Sequence, residues 1–370
     1  MAIQGIIFAN IYDSSLGELT NKRTMASLPY GGRYRQIDFT LSNMSNAGIR
    51  RIGIISRFNY QSLMAHIGSG DEWDLALEEG GLEYLTPFSL GNASYHGKID
   101  ALNSVREYLE YGSDDDYVVL ADSSVLCNVD LKKVVESHIA SGRDMTVMVK
   151  EGIANGQKLL DMCVTLDENG DVADMAVDYT APSNYLASMG VFIINKKLLL
   201  EQVEECVARS FYRLERDMIL RLWKKNEMSI NAYVFGGEAL FNESTEEYFR
   251  NNLKLLEPSV RESLFDPRPI YTKVRDRVPT YYGEASNVSN CIVADGCMLE
   301  GVVSESVLFR QVSIEAGAHV DHCLLMNDAT IGEGCELQYV ILDKNVTVRP
   351  GAKLIGTEKN PIIIKRGETV

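Results

Sequence analysis

Ile314-Glu-Ala-Gly317-Ala-His-Val320, Ile331-Gly-Glu-Gly334-Cys-Glu-Leu337 and Val348-Arg-Pro-Gly351-Ala-Lys-Leu354 repeat one pattern: apolar, two variable residues, glycine, two more, apolar. A further copy, Val293-Ala-Asp-Gly296-Cys-Met-Leu299, stands upstream, so the starts at 293, 314, 331 and 348 are spaced 21, 17 and 17 residues. An apolar side chain every six positions fills the inside of a triangular prism, and the glycine turns the corner between faces. Three such faces need about 18 residues per coil, close to the spacings found. Antiparallel hairpins also contain apolar runs of this kind, but they give no reason for glycines in register. The reading is a parallel β-helix over residues 285–370.

Working towards the N-terminus, four of the nine prolines (258, 267, 269 and 279) fall within 22 residues, and 258–284 therefore reads as a Pro-rich linker. Before it, residues 1–257 alternate short β-rich runs with helical periodicity, which favours a parallel sheet covered by helices. Candidate strands are Ile3 to Ala9, Arg51 to Ser56, Tyr117 to Ala121, Met145 to Lys150 and Met189 to Asn195. Candidate helices are Asp38 to Ala47, Tyr60 to Ile67, Asp100 to Tyr111, Leu131 to Ala140 and Tyr212 to Lys225.

A chain of 370 residues with 24% charged and 45% hydrophobic residues can bury a large core, which argues against wholesale disorder. Its formal net charge of −16 repels a phosphate backbone and anionic lipid, so neither nucleic acid nor membrane is an expected partner. The seven cysteines (127, 163, 206, 291, 297, 323 and 335) lack the Cys-x-x-Cys spacing of a zinc or redox site. The start shows no basic leader or apolar run long enough for a signal core. A cytoplasmic setting is expected.

The most distinctive segment is Leu28-Pro29-Tyr30-Gly31-Gly32-Arg33-Tyr34-Arg35-Gln36-Ile37-Asp38-Phe39-Thr40-Leu41-Ser42-Asn43, followed by Asn46-Ala47-Gly48-Ile49. With Leu186-Ala187-Ser188-Met189-Gly190 and the glycine repeats, it resembles the glucose-1-phosphate adenylyltransferase (ADP-glucose pyrophosphorylase) family over nearly the whole chain. The resemblance implies a Rossmann-like nucleotidyltransferase domain followed by a left-handed β-helix. It also implies a reaction joining ATP and glucose 1-phosphate into ADP-glucose and pyrophosphate, with magnesium as cofactor in catalytic members. Such a site must cradle phosphates, hold the metal and orient the sugar phosphate.

Measured against that resemblance, each need is poorly met. The loop after strand 1, Ala9-Asn10-Ile11-Tyr12-Asp13-Ser14-Ser15-Leu16-Gly17, has no early glycine, and it puts Ile11, Tyr12 and anionic Asp13 where phosphates should approach. The family's Arg-x-Lys-Pro run becomes Arg23-Thr24-Met25-Ala26, with Met25 at the lysine position. Its Gly-Thr-Ala-Asp-Ala motif survives in part as Gly97-Lys98-Ile99-Asp100-Ala101, where Asp100 either serves a nucleotide or caps a helix.

The first metal aspartate is retained as Asp122, which either binds metal or caps a loop. The second falls on Phe241 or Asn242, neither of them anionic, with Glu243 close by. Tyr179 replaces the sugar-phosphate lysine, and a phenol cannot neutralise phosphate. Gly31, Gly32, Asp100 and Ser188 are the remnants of substrate binding, Asp122 is the catalytic remnant, and Met25, Tyr179, Phe241 and Asn242 are lost positions.

These losses imply a regulatory, catalytically impaired subunit with no cofactor or metal of its own. It would act on a catalytic partner of the family in a homo- or hetero-tetramer, under a sugar-phosphate or other metabolite effector. Two alternatives are open. One is an active nucleotidyltransferase with a rebuilt site, Asp122 and Glu243 holding magnesium. The other is a hexapeptide acyltransferase using His319 or His322.

Overall fold

A computed structural model describes residues 2–10, 12–77, 79–86 and 96–370. The chain divides into two compact units that interleave along the sequence. One comprises Met1–Ile11, Thr40–Tyr60 and Gly68–Ala239, and the other Tyr12–Phe39, Gln61–Ile67 and Leu240–Val370.

The first unit is built on a nine-stranded sheet. Its strands are β1 (Ile3–Phe8), β2 (Arg51–Ile55), β3 (Gly81–Leu85), β4 (Tyr117–Asp122), β5 (Met145–Lys150), β6 (Leu159–Leu166), β7 (Val172–Thr180), β8 (Leu186–Asn195) and β9 (Ile230–Val234). The main path runs β7-β6-β8-β4-β1-β2-β3, with β5 between β8 and β9. Strands β3, β2, β1 and β4 are mutually parallel, as βα alternation predicts. The wholly parallel expectation fails at β8, which runs antiparallel to β4, β5 and β6.

The reason is local: β6, β7 and β8 follow one another without an intervening helix, so they form a meander. Both faces of the central strands are covered, which is why they read as continuous apolar runs; Ile6, Val118, Leu120, Val147, Phe192 and Ile194 sit in one core. The predicted helix from Asp100 to Tyr111 is two helices, Lys98–Ser104 and Arg106–Glu110, broken at Val105. The one predicted from Tyr212 begins at Leu214 as a π-helical segment, Leu214–Leu220, before Arg221–Lys224.

In the second unit, three five-stranded parallel sheets stack into the expected β-helix. Ile314, Ile331 and Val348 align on one face, and Val320, Leu337 and Leu354 on the next. The upstream copy is out of phase. Val293 pairs with Leu308 on a different face, and Leu299 is the partner of Ile314, which explains the odd first spacing.

Only one corner is built from Gly317, Gly334 and Gly351. The other two place non-glycine residues at positive φ: Asn290, Glu305, His322 and Tyr339 at one, and Gln311, Asp328 and Asn345 after Gly296 at the other. The stretch read as a linker opens with a helix, Pro258–Phe265, because a proline at the first helical turn fixes φ and loses no needed donor.

Candidate functional site

Asp122 closes β4 in register with Phe8 of β1, at the C-terminal end of the parallel strands where α/β sites form. Its surroundings are closed. Gly190, at φ +67, lies so near that a Cβ there would fall 2.4 Å from Asp122 Oδ2. The pairing of β8 with β5 is irregular between Ser188 and Phe192, and that irregularity is what brings Gly190 to the carboxylate. Ser188 accepts the Gly190 N–H at 3.2 Å, so its hydroxyl supports this bend.

The residue that decides the chemistry at Asp122 is Lys98. It opens the helix Lys98–Ser104, held by Gly97, whose Cβ replacement would stand 2.2 Å from the Tyr212 carbonyl oxygen. The Lys98 ammonium donates to Asp122 Oδ2 at 2.7 Å and to Glu215 Oε1 at 2.5 Å, and all three side chains are buried. The rings of Phe8 and Phe192 face the ammonium at 5.5 and 5.7 Å. Burial works against the charge of Lys98, but Asp122 and Glu215 outweigh it and hold the ammonium well above its ordinary value. Burial pushes Asp122 up against the pull of Lys98, and Glu215 adds to the push.

Magnesium does not fit this arrangement. One oxygen of Asp122 is taken by an ammonium, and the other, Oδ1, is buried with no hydrogen-bond partner. Among the described residues no group of three His, Cys, Asp or Glu side chains is arranged to hold a metal ion. Asp100 accepts the His96 N–H at 3.1 Å, one turn back, which is a helix-start role.

Tyr179 is exposed on β7, its ring edge-on to Tyr185 at 5.8 Å. Beside it Asp178, at φ +50, is gripped by Arg213 through two bonds of 2.7 and 2.8 Å and by Arg216. The Arg213 hydrogen bonds hold the Asp178 carboxyl below its usual range. Two cations beside Tyr179 therefore share a single carboxylate, which offsets one of their two charges.

The loop Tyr12–Leu28 belongs to the second unit; Ile11 lies outside the described residues. Asp13 is held within its own loop. Its Oδ1 accepts the Met25 N–H at 2.7 Å, and its carbonyl accepts the Thr20 hydroxyl at 2.6 Å. Met25 is fully buried. Arg23 is also buried, forming a bidentate pair with Asp343 at 2.6 and 2.8 Å.

Gly31 and Gly32, both at positive φ, turn the hairpin Pro29–Tyr30/Tyr34–Arg35. A Cβ on Gly32 would meet Ile292 and Leu308 of the β-helix at 3.3 and 3.4 Å. Phe241 is buried, and Asn242 joins an amide chain in which it donates to Gln36 at 3.1 Å and accepts from Asn251 at 2.8 Å.

A basic cavity of about 380 Å³ lies within the second unit. Arg33, Arg35, Lys273, Arg275, Arg277, Arg310, Lys344 and Arg366 line it together with His66, against a single carboxylate, Asp328. Burial draws Arg35 down to about 10. Burial, with Arg35 and Arg23, lowers Lys344 to about 7. His66 is also held down by burial, while Asp38, 2.6 Å away, opposes the shift. The cavity has no signature in sequence, because its eight Arg and Lys side chains come from five separated stretches of chain. Lys98 had a signal: a charged residue at the threonine position of the Gly-Thr-Ala-Asp-Ala motif, amid buried Ile99, Ala101 and Leu102.

Comparison with known proteins agrees with these features. Residues 5–233 match the nucleotidyl transferase family, and residues 277–361 the GlmU-like C-terminal hexapeptide family. The sheet and the stacked coils are thus those of a nucleotidyltransferase carrying a hexapeptide β-helix.

The chain is 31% identical over 369 residues to the glycogen biosynthesis protein GlgD of Bacillus subtilis, covering 98% of this chain and 95% of that protein. It is 34% identical over 368 residues to the protein of the same name from Geobacillus stearothermophilus, covering 98% and 96%. The glucose-1-phosphate adenylyltransferase of Fervidobacterium nodosum is 30% identical over 358 residues, covering 95% and 85%. This chain belongs to the ADP-glucose pyrophosphorylase family.

Proposed function

We propose that this chain is a regulatory, catalytically impaired subunit of an ADP-glucose pyrophosphorylase, acting in the cytoplasm in glycogen biosynthesis. One observation carries the reading: Asp122, the metal aspartate that the family resemblance retains, has its carboxylate closed off by Lys98. The structural roles of Arg23, Met25 and Asn242 support it, since a cation, a lysine position and a carboxylate position have all become part of the core. Removing one charge-stabilising group typically costs about 100- to 1000-fold in rate. The partner is the catalytic subunit, in a hetero-tetramer, and the basic cavity is where a phosphorylated metabolite acts.

The test is an assay of the purified chain with ATP, glucose 1-phosphate and magnesium, alone and after co-expression with a catalytic subunit. The expected result is negligible turnover alone and a single mixed species with raised activity or an altered effector response. Turnover of the isolated chain above about 1 per second, or separate elution with unchanged kinetics, overturns the reading.

A further inference from the structure

The cluster at the end of β4 has the composition of a metal site with the metal replaced. Two buried carboxylates, Asp122 and Glu215, converge on one positive charge from elements far apart in sequence, and that charge is the ammonium of Lys98. The ammonium is fixed at both ends. Its stem is buried in the helix Lys98–Ser104, which Gly97 lets approach the Tyr212 carbonyl, and its head lies between Phe8 and Phe192. An ammonium is a compact point charge with three donors, and only two are used on carboxylates here. Asp122 Oδ1 is left buried without a partner. A carboxylate lodged in a purely structural ion pair would ordinarily have both oxygens satisfied. An orphan oxygen is what remains when a one-centre cation stands where a hydrated, multi-coordinate one would bridge.

We propose that Lys98 is a tethered cation that takes the place of a divalent ion at Asp122, so that it both excludes magnesium and supplies the positive charge this end of the sheet needs to fold. This rests on the subunit reading for its biological sense but not for its test, which uses the chain alone and needs no turnover.

The probe is Mn²⁺, followed by the loss of the free-ion electron paramagnetic resonance signal and by thermal unfolding with and without the ion. Five forms are compared: wild type, Asp122→Asn, Lys98→Thr, Lys98→Thr/Asp122→Asn, and the neutral control Lys98→Met/Asp122→Asn/Glu215→Gln. Wild type is expected to show no Mn²⁺ binding that depends on Asp122, and no change in Tm. Lys98→Thr should lose roughly 10 °C in metal-free buffer, the scale set by an uncompensated buried charge. It should then bind one Mn²⁺ at least about 100-fold more tightly than wild type and recover its Tm. Adding Asp122→Asn to it should abolish both effects.

If Lys98→Thr does not fold without metal, refolding decides: recovery only in Mn²⁺ supports the proposal. Failure in Mn²⁺ while the neutral control folds overturns it. Wild-type Mn²⁺ binding lost on Asp122→Asn also overturns it, as does a folded Lys98→Thr that binds no Mn²⁺. None of these results alters whether the chain forms a mixed species with a catalytic subunit or turns over alone, so the subunit reading is tested separately by co-elution and by turnover.

Discussion

At the scale of single residues, the cations decide what this chain can do, and several, such as Arg23, Lys98 and Arg213, are already held by carboxylates. Arg23 is a retained family cation, yet it is enclosed with Asp343, whose side chain is equally inaccessible. Breaking such a pair from one side leaves a bare buried charge, so Arg23→Met or Asp343→Leu alone should cost about 3–5 kcal/mol in chemical denaturation. The double variant Arg23→Met/Asp343→Leu should recover most of that loss. A loss in the double as large as in either single would mean that Arg23 contributes something other than this pair.

Lys344 gives a pH signature. Its folded value of about 7 lies below the ordinary lysine value of about 10.4, so across that window the unfolded chain binds a proton that the folded chain does not. Stability owed to this group is therefore greatest at alkaline pH and is lost as pH falls through the window towards 7. The stability difference between wild type and Lys344→Met should accordingly move in favour of wild type between pH 7 and 10. A difference that is flat with pH would show that Lys344 is fully charged in the folded chain.

At the scale of elements, the β-helix shows what sequence reading reaches and where it stops. The glycine corner was legible because Gly317, Gly334 and Gly351 recur every 17 residues at φ +66 to +75, where a Cβ is disfavoured. The other two corners recur at the same spacing, at 305, 322 and 339 and at 311, 328 and 345, but with Glu, His, Tyr, Gln, Asp and Asn, so no single residue type marks them. Gly351→Ala should therefore cost about 1 kcal/mol, and Gln311→Gly, at φ +61, should gain up to about 1 kcal/mol. Denaturant midpoints at constant slope read both, and equal losses at the two sites would contradict the corner assignment.

The α/β sheet was legible at β1, β2, β4, β5 and most of β8, whereas β3, β6, β7 and β9 were not among the candidate strands. It was misread at β8, where three strands in succession reverse the direction. The site was harder still. Asp122 was found because the family resemblance expects an aspartate just after a strand, but Glu215 sits 117 residues from Lys98, and no local pattern joins them.

At the scale of the whole molecule, the net charge of −16 makes the eight-cation cavity of the second unit an exception to the rest of the surface. Unlike charges of equal number scattered on a surface, these are held close enough for burial and mutual repulsion to lower Arg35 and Lys344. An anion entering there relieves the repulsion, and that relief is available to shift an equilibrium in a partner. Coupling of this kind is typically about 1–3 kcal/mol, or about 5- to 150-fold in apparent affinity.

Deleting residues 285–370 is a poor way to test it, because the deletion takes away Asp343 and strips Arg23 of its partner. Positions on the irregular stretch after the helix Pro258–Phe265, exposed at Arg275 and Arg277 and half-buried at Lys273, are better. Lys273→Ala/Arg275→Ala/Arg277→Ala removes three cavity cations without touching the β-helix core. The triple variant should still elute with the catalytic subunit as one mixed species. Inorganic phosphate should raise the Tm of wild type but have little effect on the variant, and any response of the mixed enzyme to a phosphorylated sugar should fall by at least about fivefold. An unchanged response would place regulation outside this cavity, and loss of the mixed species would make these residues part of the subunit contact instead.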